Sequence, residues 1–312
     1  MKERAQTDHA PILVFAYKRA EHLRRCMASL VANPEASQSD LIVYCDGARS
    51  PEDADAVVEV RAVVNSAAGF RSITRIHREA NAGLAKSIIE GVTAQLEKYE
   101  SVIVVEDDLI VSSGFLKYMN SALRAYASDQ SVASIHAYCY PVRETLPETF
   151  FLRGADCWGW ATWRRAWDTF CADGSMLLNR LQEMKLIGAF DFDGAYPFSR
   201  MLRDQVAGRN DSWAVRWHAS CFLQGMLTLY PGKSLVHNIG NDSSGSHSKR
   251  TEMFDVLPSE GHVDIARVPI VESVVARRAF ARFLSRSSLR NRVRYAASSA
   301  HRFLRSITRV AQ

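Results

Sequence analysis

Short apolar runs alternate with segments whose apolar residues recur every three or four positions through the first 126 residues. The first two runs extend from Ile12 to Ala16 and from Leu41 to Cys45, and Arg71 to His77 is a third, alternating run. Such runs predict strands, and the segments between them predict helices. The apolar positions of those helices are Leu23, Met27, Leu30 and Val31, then Val57, Val60 and Val64, then Ile88, Ile89, Val92, Leu96 and Tyr99.

Strand and helix in alternation are typical of an α/β fold with a largely parallel sheet and helices on both faces. Ligands of such sheets bind at the carboxyl ends of the strands. Ser50 with Pro51 predicts the start of one helix. Ser112 or Ser113 predicts the cap of another, which begins near Phe115.

The stretch from Ser101 to Phe115 joins a buried strand to three consecutive carboxylates, Glu106, Asp107 and Asp108. Each charged neighbour raises the cost of ionising the next carboxylate, and burial raises it further, so the triplet favours a compensating cation. A hard divalent metal ion with oxygen ligands meets that need. A solvated turn that follows a strand explains the same residues, and the triplet alone does not decide between the two.

The composition is that of an ordinary globular chain, with 47% hydrophobic and 23% charged residues among 312. The polar start is unlike a signal peptide, and no apolar segment is long enough to span a bilayer, which predicts a cytoplasmic protein. The cysteines lack a CxxC pair and predict reduced, mainly buried thiols. They are Cys26, Cys45, Cys139, Cys157, Cys171 and Cys221.

The positive charge is concentrated at the end of the chain. From Arg277 onwards there are ten arginines and no acidic residue, so the formal net charge of +5 leaves 5 − 10 = −5 for the rest. A general nucleic-acid surface is therefore not predicted. Apolar residues such as Phe280 and Leu284 alternate with the arginines, which predicts a basic amphipathic helix in residues 277–312. It either lies on an anionic membrane, at the inner face of the cell membrane, or packs on its own domain or a dimer mate.

Four tryptophans, Trp158, Trp160, Trp163 and Trp167, lie within ten residues. They predict either core packing or an aromatic floor for a sugar ring or a base, with Trp158 and Trp160 as the contacts.

Asp211, just before a predicted amphipathic helix, is either a helix cap or a functional carboxylate. Neither GxGxxG after the first strand nor GxxxxGK[ST] occurs, which disfavours dinucleotide dehydrogenases and P-loop enzymes.

The motifs AYKR, CDG, NAGLAKS, VVEDDL, WGWATW, DSW and a final NIG…SHS loop follow one another in this order. Over roughly residues 10–255 the chain resembles nucleotide-sugar-dependent glycosyltransferases of the GT-A fold. It is similar to N-acetylglucosaminyltransferase I type enzymes, which carry an EDD metal motif, and to bacterial family-two-like sugar transferases, which carry WGWATW and NIG…THT. The shared order of the motifs carries the resemblance, because no single motif is specific.

The resemblance implies a role for each matching residue. Asp108 is expected to hold Mn²⁺ or Mg²⁺ at the nucleotide diphosphate, and His247 to contact the diphosphate or the metal. Asp211 is the expected general base, although the related enzymes have DDW where this chain has Ser212 as the second residue. Nucleotide-sugar contacts are expected from Arg19, Asp46 (to uracil), Asn81, Gly83, Lys86, Glu106 and Asp107.

The expected activity is transfer of a hexosyl or N-acetylhexosaminyl group from a UDP-sugar to a hydroxyl of a glycan or lipid-linked acceptor, with inversion, in bacterial polysaccharide or glycoconjugate synthesis. The expected organisation is a nucleotide-sugar half (1–140), an acceptor and catalytic half (141–260) and a basic tail (261–312). The alternative enzyme is a nucleotidyltransferase with carboxylate-bound Mg²⁺, although the first strand lacks its glycine-rich loop. A membrane-surface scaffold without turnover is the non-enzyme alternative.

Overall fold

The computed structural model describes residues 8–242, 252–261 and 263–286. The strands are β1 (Ile12–Ala16), β2 (Asp40–Cys45), β3 (Ser72–His77), β4 (Ser101–Glu106), β5 (Leu109–Val111), β6 (Val132–His136), β7 (Thr149–Arg153), β8 (Trp160–Trp163), β9 (Leu227–Pro231) and β10 (Val236–Asn238). The helices are α1 (Ala20–Val31), α2 (Ala54–Asn65), α3 (Leu84–Leu96), α4 (Phe115–Ala125), α5 (Arg164–Trp167), α6 (Gly174–Glu183), α7 (Ile187–Phe190), α8 (Phe198–Val206) and α9 (Trp213–Leu223). Residues 274–286 are also helical.

The main sheet has the strand order β3-β2-β1-β4-β8-β6-β9-β7. Its first four strands are parallel, β6 and β9 run parallel to each other, and β8 and β7 are antiparallel to their neighbours. The predicted mainly parallel α/β sheet is therefore confirmed. Strands from both predicted halves of the chain lie in this one sheet, and the division at residue 140 stays a prediction.

The core lies on both faces of the sheet because successive strand residues point in opposite directions. In β1, Ile12 and Val14 pack on the face covered by α1 and α4, whereas Leu13 and Phe15 pack on the face covered by α3 and α9. Full burial of each such side chain contributes about 1.5–3 kcal/mol. The run of apolar residues in β1 is thus explained by burial on both faces.

Two predicted helix starts are wrong. Pro51 opens a 3₁₀ turn, α2 begins only at Ala54, and the Ser50 side chain makes no capping hydrogen bond. The residue before α4 is Gly114 rather than Ser112 or Ser113. The backbone N of Ser112 instead donates to Leu235 O at 2.8 Å, which ties this residue to the segment before β10.

Helix α9 is buried on almost every side, although the sequence predicted an amphipathic helix. It packs between α3 on one side and α6 and α8 on the other. Its polar residues are buried with partners: Arg216, for example, donates to Ser212 O at 3.1 Å and to Ala172 O at 3.3 Å. Hydrogen bonding within the interior makes polar residues compatible with such a helix.

The helical residues 274–286 pack on their own domain. Phe280 and Leu284 are buried in a cluster with Phe150, Leu152 and Tyr230. For this part of the predicted tail the structure favours packing over a membrane contact. Residues 287–312 lie outside the described part of the chain, and so does His247. No helix within the described ranges is long and apolar enough to cross a membrane.

Replacing Phe280 by alanine should lower the free energy of unfolding by about 3–5 kcal/mol, as large-to-small changes in a packed core do. The ring lies 4.8 Å from that of Tyr140 and 5.7 Å from that of Tyr230. Val275→Ala is the matched control, because this side chain in the same helix is 55% exposed, and a change within about 0.5 kcal/mol is expected. Urea denaturation measures the free energy of unfolding of both variants. Equal changes in the two variants would contradict the packing of Phe280 in the core.

Candidate functional site

The carboxyl ends of β1, β2 and β4 meet at one edge of the sheet. The parallel register pairs Ala16 with Cys45 and Phe15 with Glu106. The next residues remain bonded to β1, since Asp46 N donates to Ala16 O at 3.0 Å and Asp107 N donates to Phe15 O at 3.1 Å. The CDG turn and the EDD triplet therefore lie on either side of the AYKR segment, as the predicted topology requires.

Arg19 lies against the acidic triplet. Its Nη2 contacts Asp107 Oδ1 and lies 2.9 Å from Asp108 Oδ2. Burial alone lowers the pKa of Arg19, but the charges of Asp107 and Asp108 outweigh it and raise the pKa above its usual value. The guanidinium is thus the positive partner of this cluster and stays charged.

One arginine leaves the triplet short of positive charge. Burial raises the pKa of Glu106, and Asp108 and Asp107 raise it further. The pKa of Asp107 is also raised by burial, although Arg19 opposes the shift. Asp108 Oδ1 is buried and has no hydrogen-bond partner among the described residues. A divalent cation would bind such an oxygen and would also compensate the negative charge of the triplet that Arg19 leaves unbalanced.

The residues fit an open metal site rather than a closed cage. Within the described ranges, no three His, Cys, Asp or Glu side chains are grouped so as to hold a metal ion. Ions such as Mg²⁺ are commonly bound by one or two carboxylates, waters and substrate phosphates, so an enclosing group is not required. Asp108 would supply the protein ligand here, and the predicted contribution of His247 falls on a residue outside the described ranges.

The NIG segment is tied to the triplet by a short second sheet. Strand β10 pairs with β5 in antiparallel register, with Asn238 opposite Leu109, and Ile239 N donates to Asp108 O at 2.8 Å. A Cβ at Gly240 would stand 2.1 Å from Asp108 Oδ2. Glycine is therefore required for the close approach of this backbone to the carboxylate.

Asp46 holds the NAG loop against the end of β2. Its Oδ1 accepts from Ala82 N at 2.8 Å, and its Oδ2 accepts from Gly83 N at 2.9 Å. Asn81 Nδ2 donates to Gly47 O at 2.9 Å, and Gly83 has a φ of +80° that favours glycine. The predicted nucleotide-loop residues are thus brought together, and the contact of Asp46 with uracil stays a prediction.

Lys86 extends from the start of α3 and is largely exposed. Its Nζ lies 3.7 Å from Glu90 Oε1 in an i,i+4 pair, and Glu90 also accepts from Arg78 at 2.8 Å. Exposed pairs of this kind contribute little to stability. The predicted phosphate contact of Lys86 remains a prediction.

The two tryptophans predicted to form an aromatic floor occupy different environments. Trp158 is half-buried and stands edge-on to Tyr138 at 4.8 Å. Trp160 is fully buried in β8 and packs on Trp213 and Trp217. A ligand cannot stack on Trp160, because other side chains cover this ring completely; the expectation for Trp160 is corrected to core packing.

A cavity of about 240 Å³ lies beside Trp158. Aromatic side chains form much of its wall: Tyr140, Trp158, Tyr196, Phe198 and Phe254. Asp156, His218 and Asn241 contribute its polar groups. The sequence analysis missed Asp156 and His218, although Asp156 stands only two residues before the first tryptophan of WGWATW. Neither is part of a recognisable motif.

Asp211 lies outside the lining of this cavity. Its side chain is 71% exposed, and its Oδ1 accepts from Arg216 Nη2 at 2.9 Å. The cap of α9 is Ser212, whose Oγ accepts from Val215 N at 3.2 Å, so Asp211 is not the helix cap. The predicted role of Asp211 as general base stays a prediction.

His218 should make the protein less stable in acid. Burial lowers the pKa of His218 to about 4, whereas an unfolded histidine has a pKa of about 6.5. Between these values the unfolded chain binds a proton that the folded chain does not bind, so stability falls as the pH falls. Between pH 7 and pH 4.5 this loss is roughly 2–3 kcal/mol. Urea denaturation at both pH values should show that His218→Gln removes this acid-induced loss of stability. An equal loss in variant and wild type would contradict the assignment of the loss to His218.

Comparison with known proteins gives one family and several distant structures. Residues 1–146 match the model of the GNT-I family. No curated protein matches the sequence. A cytidylyltransferase from Leptospira borgpetersenii serovar Hardjo-bovis is similar at 12% identity over 52% of this chain and 65% of its own, with a TM-score of 0.33.

Two further solved structures are similar over a larger share of the chain. UDP-glucose pyrophosphorylase complexed with UDP-glucose has 9% identity, covers 71% of this chain and 90% of its own, and gives a TM-score of 0.36. Mannosyltransferase PcManGT from Pyrobaculum calidifontis, in complex with GDP-Man and Mn²⁺, has 11% identity, covers 72% and 73%, and gives a TM-score of 0.34.

The GNT-I match includes the AYKR, CDG, NAGLAKS and EDD motifs, which the structure gathers at the ends of β1, β2 and β4. It confirms the resemblance to N-acetylglucosaminyltransferase I type enzymes over these residues. Over residues 1–146 the chain thus resembles the GNT-I family, and its fold is a mainly parallel α/β sheet flanked by helices.

Proposed function

We propose that this chain is a metal-dependent glycosyltransferase that moves a hexosyl or N-acetylhexosaminyl group from a UDP-sugar to an acceptor hydroxyl with inversion. The observation that carries the proposal is the buried Asp108 Oδ1 that lacks a hydrogen-bond partner within the described ranges, beside carboxylates that share a single arginine. The family match over residues 1–146 supports the same activity.

When bound at Asp108, Mn²⁺ or Mg²⁺ supplies the positive charge that stabilises a diphosphate leaving group. Arg19 adds a second positive charge at the same strand ends, next to Asp107. Asp46 keeps Ala82 and Gly83 in place, so that the loop forms a fixed wall beside the nucleotide. Lys86, at the exposed start of α3, is available to a phosphate.

The proposed acceptor is a glycan or a lipid-linked intermediate of bacterial polysaccharide or glycoconjugate synthesis, used on the cytoplasmic side of the membrane. A lipid-linked acceptor would suit the proposed membrane contact, which now rests on residues 287–312 and their arginines. Truncation after Arg286 tests it, because Phe280 and Leu284 stay in the core. Flotation with anionic vesicles should be lost in this variant, and unchanged flotation would contradict the membrane proposal.

The test of function is release of nucleoside diphosphate from a panel of nucleotide sugars, with Mn²⁺, Mg²⁺ or a chelator. UDP release from at least one UDP-sugar, abolished by the chelator, is the expected result. Nucleoside triphosphates with sugar 1-phosphates form the second arm of the assay. Pyrophosphate release in this arm, without UDP release in the first, would contradict the proposal and favour a nucleotidyltransferase.

A further inference from the structure

We infer that the cavity beside Trp158 binds the acceptor sugar and that Asp156, rather than Asp211, accepts the proton of its reacting hydroxyl. This inference rests on the proposed function and deepens it by assigning the acceptor site. The ligand class is a single pyranose ring with its hydroxyls free. The cavity is somewhat smaller than the roughly 300–1,000 Å³ of pockets for drug-sized ligands, which suits one ring.

The cavity has the lining that a sugar ring requires. The half-buried ring of Trp158 is held edge-on by Tyr138 at 4.8 Å and by Phe254 at 5.7 Å. Tyr140 stands edge-on to Phe280 at 4.8 Å, so this part of the cavity wall is also fixed by packing. Rigid aromatic faces with few polar groups bind the apolar face of a sugar, while the polar groups select its hydroxyls.

The cavity adjoins the carboxylate site. Asn241 lines it and follows Gly240, whose backbone lies against Asp108. Cys157, between Asp156 and Trp158 in the chain, also lines it. Burial raises the pKa of the Cys157 thiol, and so do the nearby carboxylates, Asp156, Glu106 and Asp108. A sugar in the cavity therefore lies next to the site at which the donor diphosphate would bind.

Asp156 is oriented and keeps the capacity to accept a further hydrogen bond. Its Oδ1 accepts from Cys157 N at 2.8 Å, which fixes the carboxylate. Its Oδ2 accepts a long hydrogen bond from Tyr140 Oη at 3.4 Å, and His136 Nε2 lies 3.6 Å from it. The Asp156 side chain is 25% exposed and lies in the cavity wall. Because a carboxylate oxygen can accept more than one hydrogen bond, Asp156 can still accept from a hydroxyl that enters the cavity.

His136 stands behind this carboxylate as a neutral group. Its ring is fully buried, and neither ring nitrogen has a hydrogen-bond partner within the described part of the chain. Burial lowers the pKa of His136, so its ring carries no charge that would compete with the hydroxyl for Asp156. By contrast, the exposed Asp211 is paired with a cation, Arg216, and is absent from the cavity lining.

The proposed step balances with the groups present. The acceptor oxygen forms a bond to the anomeric carbon of the donor sugar, while the bond from that carbon to the UDP oxygen breaks. The hydroxyl proton passes to Asp156 Oδ2, and UDP leaves with the electron pair of the broken bond. General bases of this kind contribute about 10²–10⁴-fold to rate.

The test compares Asp156→Asn with Asp211→Asn in the full-length chain. The donors are UDP-glucose, UDP-galactose and UDP-N-acetylglucosamine with Mn²⁺, and the acceptors are the methyl β-glycosides of the same three sugars and water. Asparagine keeps the shape and the hydrogen bond from Cys157 but cannot take up the proton. We expect UDP release by Asp156→Asn to fall at least a hundredfold, with Mn²⁺–UDP affinity unchanged within twofold, whereas Asp211→Asn stays within threefold of wild type.

The outcomes separate the two levels of the proposal. Asp156→Asn with a wild-type rate, or Asp211→Asn with the larger loss, overturns the inference and leaves the glycosyltransferase proposal intact. A loss in Asp156→Asn that is accompanied by lost Mn²⁺–UDP binding also overturns it, since Asp156 would then serve the donor site. Wild-type protein that neither binds Mn²⁺–UDP nor releases UDP overturns the proposed function and the inference together.

Discussion

Replacement of Asp108 by alanine should lower metal-dependent UDP release by at least about a thousandfold. Asp108 Oδ1 is a buried carboxylate oxygen without a hydrogen-bond partner among the described residues, and Asp108 Oδ2 lies 2.9 Å from Arg19. Loss of this carboxylate removes the proposed metal ligand. A bound metal ion stabilises the transition state by several kcal/mol, and each 1.36 kcal/mol corresponds to a tenfold change in rate.

Two further variants make this prediction specific. Asp108→Asn keeps the side-chain shape and should be as inactive as Asp108→Ala, because the charge is what holds the metal. The metal-free Asp108→Asn protein should be at least as stable as wild type, since a buried negative charge is removed. Asp55→Asn, at an exposed position in the first turn of α2, is the control and should leave UDP release unchanged. Active Asp108→Asn protein would contradict the metal assignment.

Gly240→Ala should reduce UDP release about a hundredfold without unfolding the protein. The added Cβ would lie 2.1 Å from Asp108 Oδ2 and 3.0 Å from Arg19 Nη1, so the carboxylate must move. A displacement of about 1 Å at a catalytic group can cost roughly 10²-fold in rate. The measurements are UDP release and the thermal midpoint of unfolding.

Gly188→Ala is the matched control for this substitution. Gly188 lies in α7, and a Cβ there would meet nothing within 4 Å. We expect wild-type activity and a stability that is unchanged or slightly higher, because alanine favours a helix over glycine by up to about 1 kcal/mol. If Gly240→Ala keeps activity within threefold of wild type, the close approach of residue 240 to Asp108 has no role in the site.

The sequence predicted the first half of the fold because its signals are local. Runs such as Ile12 to Ala16 are buried on both faces, and the inner positions Val57, Val60 and Val64 are all buried in α2. Periodicity reports burial directly. Helix starts were harder to predict, since the backbone N of Ser112 is bonded to the distant Leu235 O and the residue before α4 is Gly114.

Long-range pairing explains most of what the sequence could not show. The antiparallel pairing of β10 with β5 brings Gly240 to Asp108, across more than a hundred residues of chain. The shared order of motifs suggested that both segments belong to one site, but not that one is packed against the other. The neighbourhood of Arg19 and the EDD triplet could be predicted, because parallel strands end at the same edge.

The cavity beside Trp158 could not be predicted in the same way. Its wall comes from segments that are far apart in the chain, at residues 140, 155–158, 196–201, 214–218, 241, 254 and 284. A single carboxylate such as Asp156 gives no periodic or motif signal, and its importance follows only from the side chains packed around it. The tryptophan cluster gave the nearest signal: Trp158 lines the cavity, and its contact with a ligand stays a prediction, whereas Trp160 is buried in the core.

The central claim is that Asp108 binds a divalent metal ion together with a nucleoside diphosphate. Electron paramagnetic resonance of free Mn²⁺ tests it most directly, with wild type and Asp108→Asn titrated in the presence and absence of UDP. The account predicts that wild-type protein with UDP depletes the free Mn²⁺ signal well beyond UDP alone, and that Asp108→Asn does not. Equal depletion by the two proteins, or none by wild type, would contradict it.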